Sequence, residues 1–372
     1  MKIKTITCHD VYNYGASLQA YALQQYLIGR GHDVQIIDYF PDYMDVNYRI
    51  RWKKYDIPEM SRLYRMRHIP GVKTCYRLKM SVKKMRFIIE KRGRKEAFDR
   101  FKVQYLHLTP EKYKNVEELQ RTNMEADVFI AGSDQIWNPL FNNGRDPSFF
   151  LQFGKGKKVS YAASFGVSDL SPLDGATMKK WLSSFDKISV RESTGLKLLD
   201  ELGMKGGIQV PDPVILLDRE YWEKLASSKY RDEKFILVYN LGSLKQDIMN
   251  CALRLSKQYG LKIVAVEEIG NISYADKRIK DAGPCEFVEL LTKATFVVTN
   301  SFHATAFSIL FNIPFFSFIK NATSSRITDL LISCGLTSRL NCSDFDGDIN
   351  WPEVNSRMSV FRRVGVDFLD SM

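Results

Sequence analysis

Residues 2–39 read KIKTITCHDVYNYGASLQAYALQQYLIGRGHDVQIIDY, and their pattern decides the fold. KIKTITC reads as a strand, and the polar loop HDVYNYGA follows it. In SLQAYALQQYLIGRG, the residues Leu18, Tyr21, Ala22, Gln25 and Ile28 recur at helical spacing, with Leu23 and Leu27 beside them. Gly29 and Gly31 stop that helix, as glycines often do. HDVQIIDY then reads as a second strand. Strand, helix and strand at this length make a βαβ unit with a right-handed crossover. The first loop carries one glycine, Gly15, so the unit lacks the glycine-rich dinucleotide fingerprint.

The alternation recurs downstream. ADVFIAGSDQIWNP and KKVSYAASFG each give a strand and a turn, DKISVREST leads from a strand into a helix over residues 192–202, and GGIQVPDPVILL adds a short strand. From about Glu233, KFILVYNLG, LKIVAVE, ATFVVTN and IPFFSFI read as strands separated by helical stretches, one of which, SFHATAFSILFNI, follows its strand directly. The tail INWPEVNSRMSVFRRVGVDFLDSM is an amphipathic helix with Trp351, Val354, Met358, Phe361 and Phe368 on one face. The expected fold class is α/β, with two Rossmann-like doubly wound domains facing each other across a cleft. The expected divisions are residues 1–220, 221–345 and a C-terminal helix over 346–372.

The chain has 372 residues and a formal net charge of +11. Residues 49–100 hold 18 Lys/Arg against 5 Asp/Glu, a local +13, so the rest of the chain carries −2. This basic insert reads as helical from about Tyr76 to Phe101. It is either a solvated hairpin or a surface that meets an anionic membrane or a phosphate-bearing lipid carrier. It holds no nucleic-acid reading motif, so no nucleic-acid partner is expected. No signal peptide and no clean membrane-spanning run are read, which points to a cytoplasmic protein, peripheral at the membrane if the insert docks there. The six cysteines have irregular spacing and form no CxxC, and no metal-ligand cluster is visible, so neither a metal nor a disulfide framework is expected.

Ligands of such sheets bind beyond the carboxyl ends of the strands. That rule selects Asn13, Tyr14 and Gly15; Ser133, Asp134 and Gln135; Ser164 and Phe165; Arg191; Asp212; and Ser301, Phe302, His303 and Thr305. His303 stands in the first turn of a helix, where unpaired N–H groups favour an anion; a helix cap or a core histidine would occupy the same position. Arg191 offers a planar fork for carboxylate or phosphate, or a simple surface ion pair. Trp137 is either core or a flat face for a sugar, and Asp134 either a turn former or a ligand. Without GxSxG or a P-loop, serine-hydrolase and nucleotide-triphosphatase chemistry recede.

Taken together, NYGASLQAYAL, FIAGSDQIWNP, VSYAASFG, ISVREST, VPDPVILL and VTNSFHATAFSILFNIPF resemble the successive motifs of the polysaccharide pyruvyl transferase family. The resemblance runs from about Lys2 to Leu340 and is least in the basic insert. It implies a GT-B-like fold, phosphoenolpyruvate as donor with no further cofactor, and a sugar or lipid-linked oligosaccharide of a surface polysaccharide as acceptor. The product would be a pyruvate ketal. By motif, Arg191 and His303 are the catalytic pair, as anion clamp and general acid/base. Asn13, Tyr14, Asp134 and Trp137 would line the acceptor side, with Gly15, Ser133, Gln135, Ser301, Phe302 and Thr305 around the substrates. The family pattern Arg-Leu-His-Gly reads Ser301-Phe302-His303-Ala304 here, so the arginine two places before the histidine is missing. Lys320 and Arg326 are the nearest replacements. The alternatives are a glycosyltransferase using a nucleotide-sugar on the same scaffold, or a non-catalytic sugar- or membrane-binding protein.

Overall fold

The structure is a computed structural model and describes residues 1–44, 62–66, 68–230, 233–242, 246–267, 272–319, 325–342 and 348–372. The first sheet holds β1 (Lys2–Ile6), β2 (Asp33–Tyr39), β3 (Leu108–Tyr113), β4 (Glu125–Ala131) and β5 (Lys155–Ser160), all parallel, in the order β3-β2-β1-β4-β5. Two short strands, β6 (Ser189–Val190) and β7 (Ile208–Gln209), continue it past β5 through single bridges from Val159 to Lys187 and from Ala163 to Val190. The second sheet holds β8 (Phe235–Tyr239), β9 (Lys262–Val266), β10 (Lys277–Ile279), β11 (Phe296–Thr299) and β12 (Phe315–Ser317), parallel, in the order β10-β9-β8-β11-β12. The two orders are the same. Each half is therefore a doubly wound Rossmann-like sheet, as the sequence pattern implies.

The helices are α1 (Tyr14–Gly29), α2 (Val72–Glu90), α3 (Arg92–Tyr105), α4 (Val116–Arg121), α5 (Pro172–Leu182), α6 (Ser193–Glu201), α7 (Arg219–Leu225), α8 (Gln246–Tyr259), α9 (Pro284–Lys293), α10 (Phe302–Leu310), α11 (Ser325–Cys334) and α12 (Trp351–Asp370). The first of them is buried on nearly all sides rather than along one stripe. It lies between the first sheet and the second half, so even Gln24 is enclosed, with its amide donating to the Tyr105 carbonyl and accepting from the His107 N–H. One apolar cluster joins the halves: Tyr14 and Leu18 of α1, Phe98 and Phe101 of α3, Leu237 and Tyr239 of β8, Phe287 of α9 and Phe307 of α10. Tyr14 stacks on Phe287 with ring centroids 4.2 Å apart, a contact worth about 0.5–1.5 kcal/mol beyond its buried area.

One expectation needs correction. The basic stretch 49–100 lies within the crossover from β2 to β3. Its first residues, 49–61, and residue 67 fall outside the described residues. Its last part, α3, is no solvated helix: Arg94, Ala97, Phe98 and Phe101 are buried in the seam between the halves. Neither β3 nor β10 was legible. Pro110 stands inside β3, and the structure tolerates it because, among the described residues, β3 is the edge strand beside β2. Finally, α12 runs back over the first half. Phe368 and Leu369 pack with Ile3, Val128, Val159 and Tyr161, and Arg30 pairs with Asp370 at 2.6 Å.

Candidate active site

The turn from β6 to α6 places Arg191 and Glu192 inside the protein, each 3% exposed or less. The Arg191 Nη1 donates to Asp212 Oδ2 at 2.7 Å; Nη2 lies 3.7 Å from Asp134 Oδ1, and Nε 4.0 Å from Glu192 Oε2. Three carboxylates thus surround one guanidinium, and the Phe302 ring lies 4.7 Å from its Cζ. Glu192 is oriented by the Ser164 hydroxyl at 2.8 Å and the Gly166 N–H at 3.2 Å. Asp212 follows β7 and accepts from Arg191, from the Ser133 hydroxyl at 2.9 Å and from the Val214 N–H at 3.1 Å. Burial opposes ionisation of Asp212, but His303 and Arg191 outweigh it and hold its carboxyl well below the usual carboxylate range. Burial likewise works against the Arg191 charge, and Asp212, Asp134 and Glu192 reverse that and raise its pKa.

The second half supplies the imidazole. Ser301 caps α10, its hydroxyl accepting from the Ala304 N–H, and this puts His303 in the first helical turn. His303 Nε2 lies 3.6 Å from Asp212 Oδ2. Gly15, in the first turn of α1, packs directly on the ring: a Cβ there would sit 2.0 Å from His303 Nδ1, so any side chain at this position displaces the histidine. Among the described residues, His303 Nε2, Arg191 Nε and Nη2, and Glu192 Oε2 are buried with no hydrogen-bond partner. These atoms lie where turns from the two halves meet. They give a ligand two donors on a guanidinium, an imidazole nitrogen and a carboxylate oxygen.

A second guanidinium belongs to the same group. Arg326 is half-buried in the first turn of α11, and burial and the like charge of Arg191 pull its pKa down against Glu192, Asp134 and Asp212. The helix is fixed on α6: the Ser193 N–H and hydroxyl donate to Asp329 at 2.6 and 3.0 Å, and the Thr194 and Ser325 hydroxyls are 2.8 Å apart. The other replacement for the missing family arginine, Lys320, lies outside the described residues.

The sequence-selected residues divide accordingly. Gly15, Ser133, Asp134, Arg191, Ser301, Phe302, His303 and Arg326 gather in this one region. Asn13 caps α1, its side chain accepting from the Ala16 N–H at 3.2 Å. Gln135 stays partly exposed beside Asp134, its side chain accepting from Asn138 at 2.8 Å. Three readings are corrected. Trp137 is fully buried, stacked on Phe150, with Nε1 donating to the Phe149 carbonyl, so no ring face is left for a sugar. Tyr14 is seam packing, its hydroxyl donating to the Ala282 carbonyl. Thr305 is fully buried, bonded to the Ser301 carbonyl and the Ser317 hydroxyl. Sequence reasoning placed Asp212 at a strand end but gave it no role, although its setting between Pro211 and Pro213 marks a rigid turn. Glu192 was read only as the start of a helix.

A cavity of about 760 Å³ opens at the carboxyl ends of β2 and β3, with Tyr43, Lys114, Asn115, Arg145 and Asp146 in its lining. Asp146 accepts from the Tyr39 and Tyr43 hydroxyls at 2.5 and 2.6 Å. Burial first, then the charges of both Asp134 and Asp146, push the thiol pKa of Cys8 up. A thiol held protonated in this way is a poor nucleophile.

Fold and site together define a two-halved α/β protein with a buried cluster of guanidinium, carboxylates and imidazole at the seam. The family model for polysaccharide pyruvyl transferase matches residues 13–321, and the chain belongs to that family, one of transferases. None of the curated proteins matches the chain in sequence. Among solved structures it is similar to a UDP-N-acetylglucosamine 2-epimerase described as putative from Listeria monocytogenes, at 10% identity and TM-score 0.49, covering 97% of this chain and 87% of that one. It is also similar to a UDP-GlcNAc 2-epimerase from Neisseria meningitidis bound to UDP-GlcNAc, at 11% identity and TM-score 0.48, covering 98% and 94%. A heptosyltransferase of E. coli with ADP follows at 9% identity and TM-score 0.39, covering 88% and 90%. These likenesses carry no argument about chemistry, and the fold assignment rests on the two sheet orders.

Proposed function

We propose that the protein transfers a pyruvyl group from phosphoenolpyruvate to two hydroxyls of a sugar in a surface polysaccharide or its lipid-linked precursor. The observation that carries this reading is the group of buried atoms without partners on Arg191 and His303, with Arg326 beside them. Phosphoenolpyruvate presents a carboxylate and a phosphate, and two guanidiniums from different elements match two anionic groups. Arg326 on α11 takes the part of the arginine that Ser301 replaces. Ser301 is then free to cap α10, which fixes His303.

The reaction converts two hydroxyls and the enol ester into a ketal and inorganic phosphate. Two hydroxyl protons are released; one goes to the methylene carbon and one leaves with phosphate. In this reading His303 delivers the proton to carbon and recovers one from the attacking hydroxyl, a contribution of about 10²–10⁴-fold. Asp212, 3.6 Å from Nε2, orients the ring when it carries charge. Arg191 and Arg326 hold the carboxylate and the departing phosphate. The acceptor chain enters by the cavity beside Tyr43 and Asn115.

Phosphate release from phosphoenolpyruvate across a panel of sugar acceptors tests the proposal, with His303→Ala as control. Release with an acceptor, lost in the variant, supports it. Near-full release by His303→Ala ends the acid/base role. The missing arginine before His303 favours one other reading, a glycosyltransferase. Thermal stabilisation by nucleotide-sugars but not by phosphoenolpyruvate would select it.

A further inference from the structure

We propose that α2 is a surface helix that seats the protein on an anionic lipid bilayer. Leu78, Val82, Met85 and Ile89 recur at spacings of four, three and four, so they form one stripe along the helix. All four are exposed, Leu78 at 56% and Ile89 at 66%. Met66 and Ile69, just before the helix, are exposed as well. Lys79, Lys83 and Arg86, each one position beyond a stripe residue, run beside it and are also exposed. In all, α2 carries six Lys/Arg and a single acidic residue, Glu90, which is engaged by Lys280 at 2.6 Å. A helix on the outside of a folded protein ordinarily turns its polar face to water. Here the outward face is apolar with a row of cations at its side.

That arrangement suits one environment. In the plane of a bilayer surface, the apolar stripe enters the boundary with the acyl chains while the cations meet lipid phosphates. A nucleic acid would satisfy the cations and leave Leu78 and Ile89 in water. A second copy of the chain would cover the stripe but bring two rows of like charge together. The mounting is rigid at one end. The Glu90–Lys280 pair and the Lys91 ammonium, which donates to the Glu267 carbonyl at 3.1 Å, fix the end of α2 to the second half. From there α3 crosses to the first half, where Arg94 donates to the Tyr12 carbonyl and covers the Tyr14 ring. A docked α2 therefore holds the seam at a set position over the lipid surface, whatever the donor is.

The test is flotation of the full chain with vesicles of phosphatidylcholine alone and with phosphatidylglycerol as three parts in ten, at low and high salt. Binding to the anionic vesicles only, weakened by salt, is expected. A near-surface cation is worth about fivefold in affinity, so Lys79→Glu with Lys83→Glu lowers binding by at least about tenfold. Leu78→Asp with Met85→Asp does the same. Both pairs keep the thermal unfolding and the phosphate release with a soluble acceptor unchanged, because these side chains face water. No flotation, equal flotation on neutral vesicles, or indifference to both variant pairs overturns the proposal. So does sedimentation as a dimer that Leu78→Asp splits, which assigns the stripe to a second copy.

Discussion

The two halves share a strand order but not a crossover. In the second half, β9 reaches its neighbour β10 through residues 267–276; in the first, β2 reaches β3 through residues 40–107. The same step in the same topology thus takes 10 residues in one half and 68 in the other. Both crossovers join adjacent parallel strands at a sheet edge, where added chain does not disturb the central strands. The halves also divide the chemistry. The first contributes Arg191 and its three carboxylates, all within a fixed network. The second contributes Arg326 and His303, and among the described residues the ion-pair partner of His303 is Asp212, which belongs to the first half. The charged half of the site is built into the structure, and the imidazole is placed against it.

This contrast predicts a separation of stability from activity. The largest effect is expected for Asp212→Asn. Removing one partner of a buried ion pair costs about 3–5 kcal/mol, so both thermal unfolding and turnover should fall sharply. The pH dependence follows the same residue. Since the folded carboxyl titrates below its ordinary value of 3.8, the stabilisation it gives is full above that value and drains away as pH falls below it. Asp212→Asn should flatten that acid limb in a chemical-denaturation series, and an unchanged limb would show that other carboxylates govern it.

His303→Ala comes next and should behave differently, losing about 10²–10⁴-fold in kcat with a smaller loss of unfolding temperature than Asp212→Asn. A comparable loss of stability would erase the distinction between the halves. Gly15→Ala should reproduce much of this activity loss, because its methyl collides with the His303 ring. Under the proposed function, Arg326→Ala should raise the KM for phosphoenolpyruvate by about tenfold or more, with Arg326→Lys intermediate, as loss of a charge-assisted fork implies. The smallest effect is expected for Tyr43→Phe, a few-fold rise in acceptor KM, on the order of one hydrogen bond, at unchanged donor KM.

How much of this was legible follows from what each signal depends on. The strands β8, β9 and β11 could be read because buried parallel strands are short apolar runs, β1 and β2 because they flank a clear helix, and α10 because it follows its strand directly. In β3, the three exposed positions Pro110, Glu111 and Lys112 hide the strand, and in β10 the polar Lys277 and Arg278 do the same; only pairing at an edge makes either a strand. Residue type alone could not tell Trp137 in the core from a tryptophan at a surface, since its indole satisfies itself on the Phe149 carbonyl.

The sequence by itself determined the alternation of strands and helices, the two halves, the concentration of positive charge in one crossover, and the loops from which chemistry could come. These are local properties, fixed by side-chain periodicity and composition. Only the tertiary structure decided that Asp212 bridges Arg191 and His303, that Arg326 arrives from α11, and that Gly15 must be bare for the imidazole to fit. Those are relations among residues as much as 288 positions apart, from Gly15 to His303. They arise from sheet order and helix docking, and no spacing along the chain encodes them.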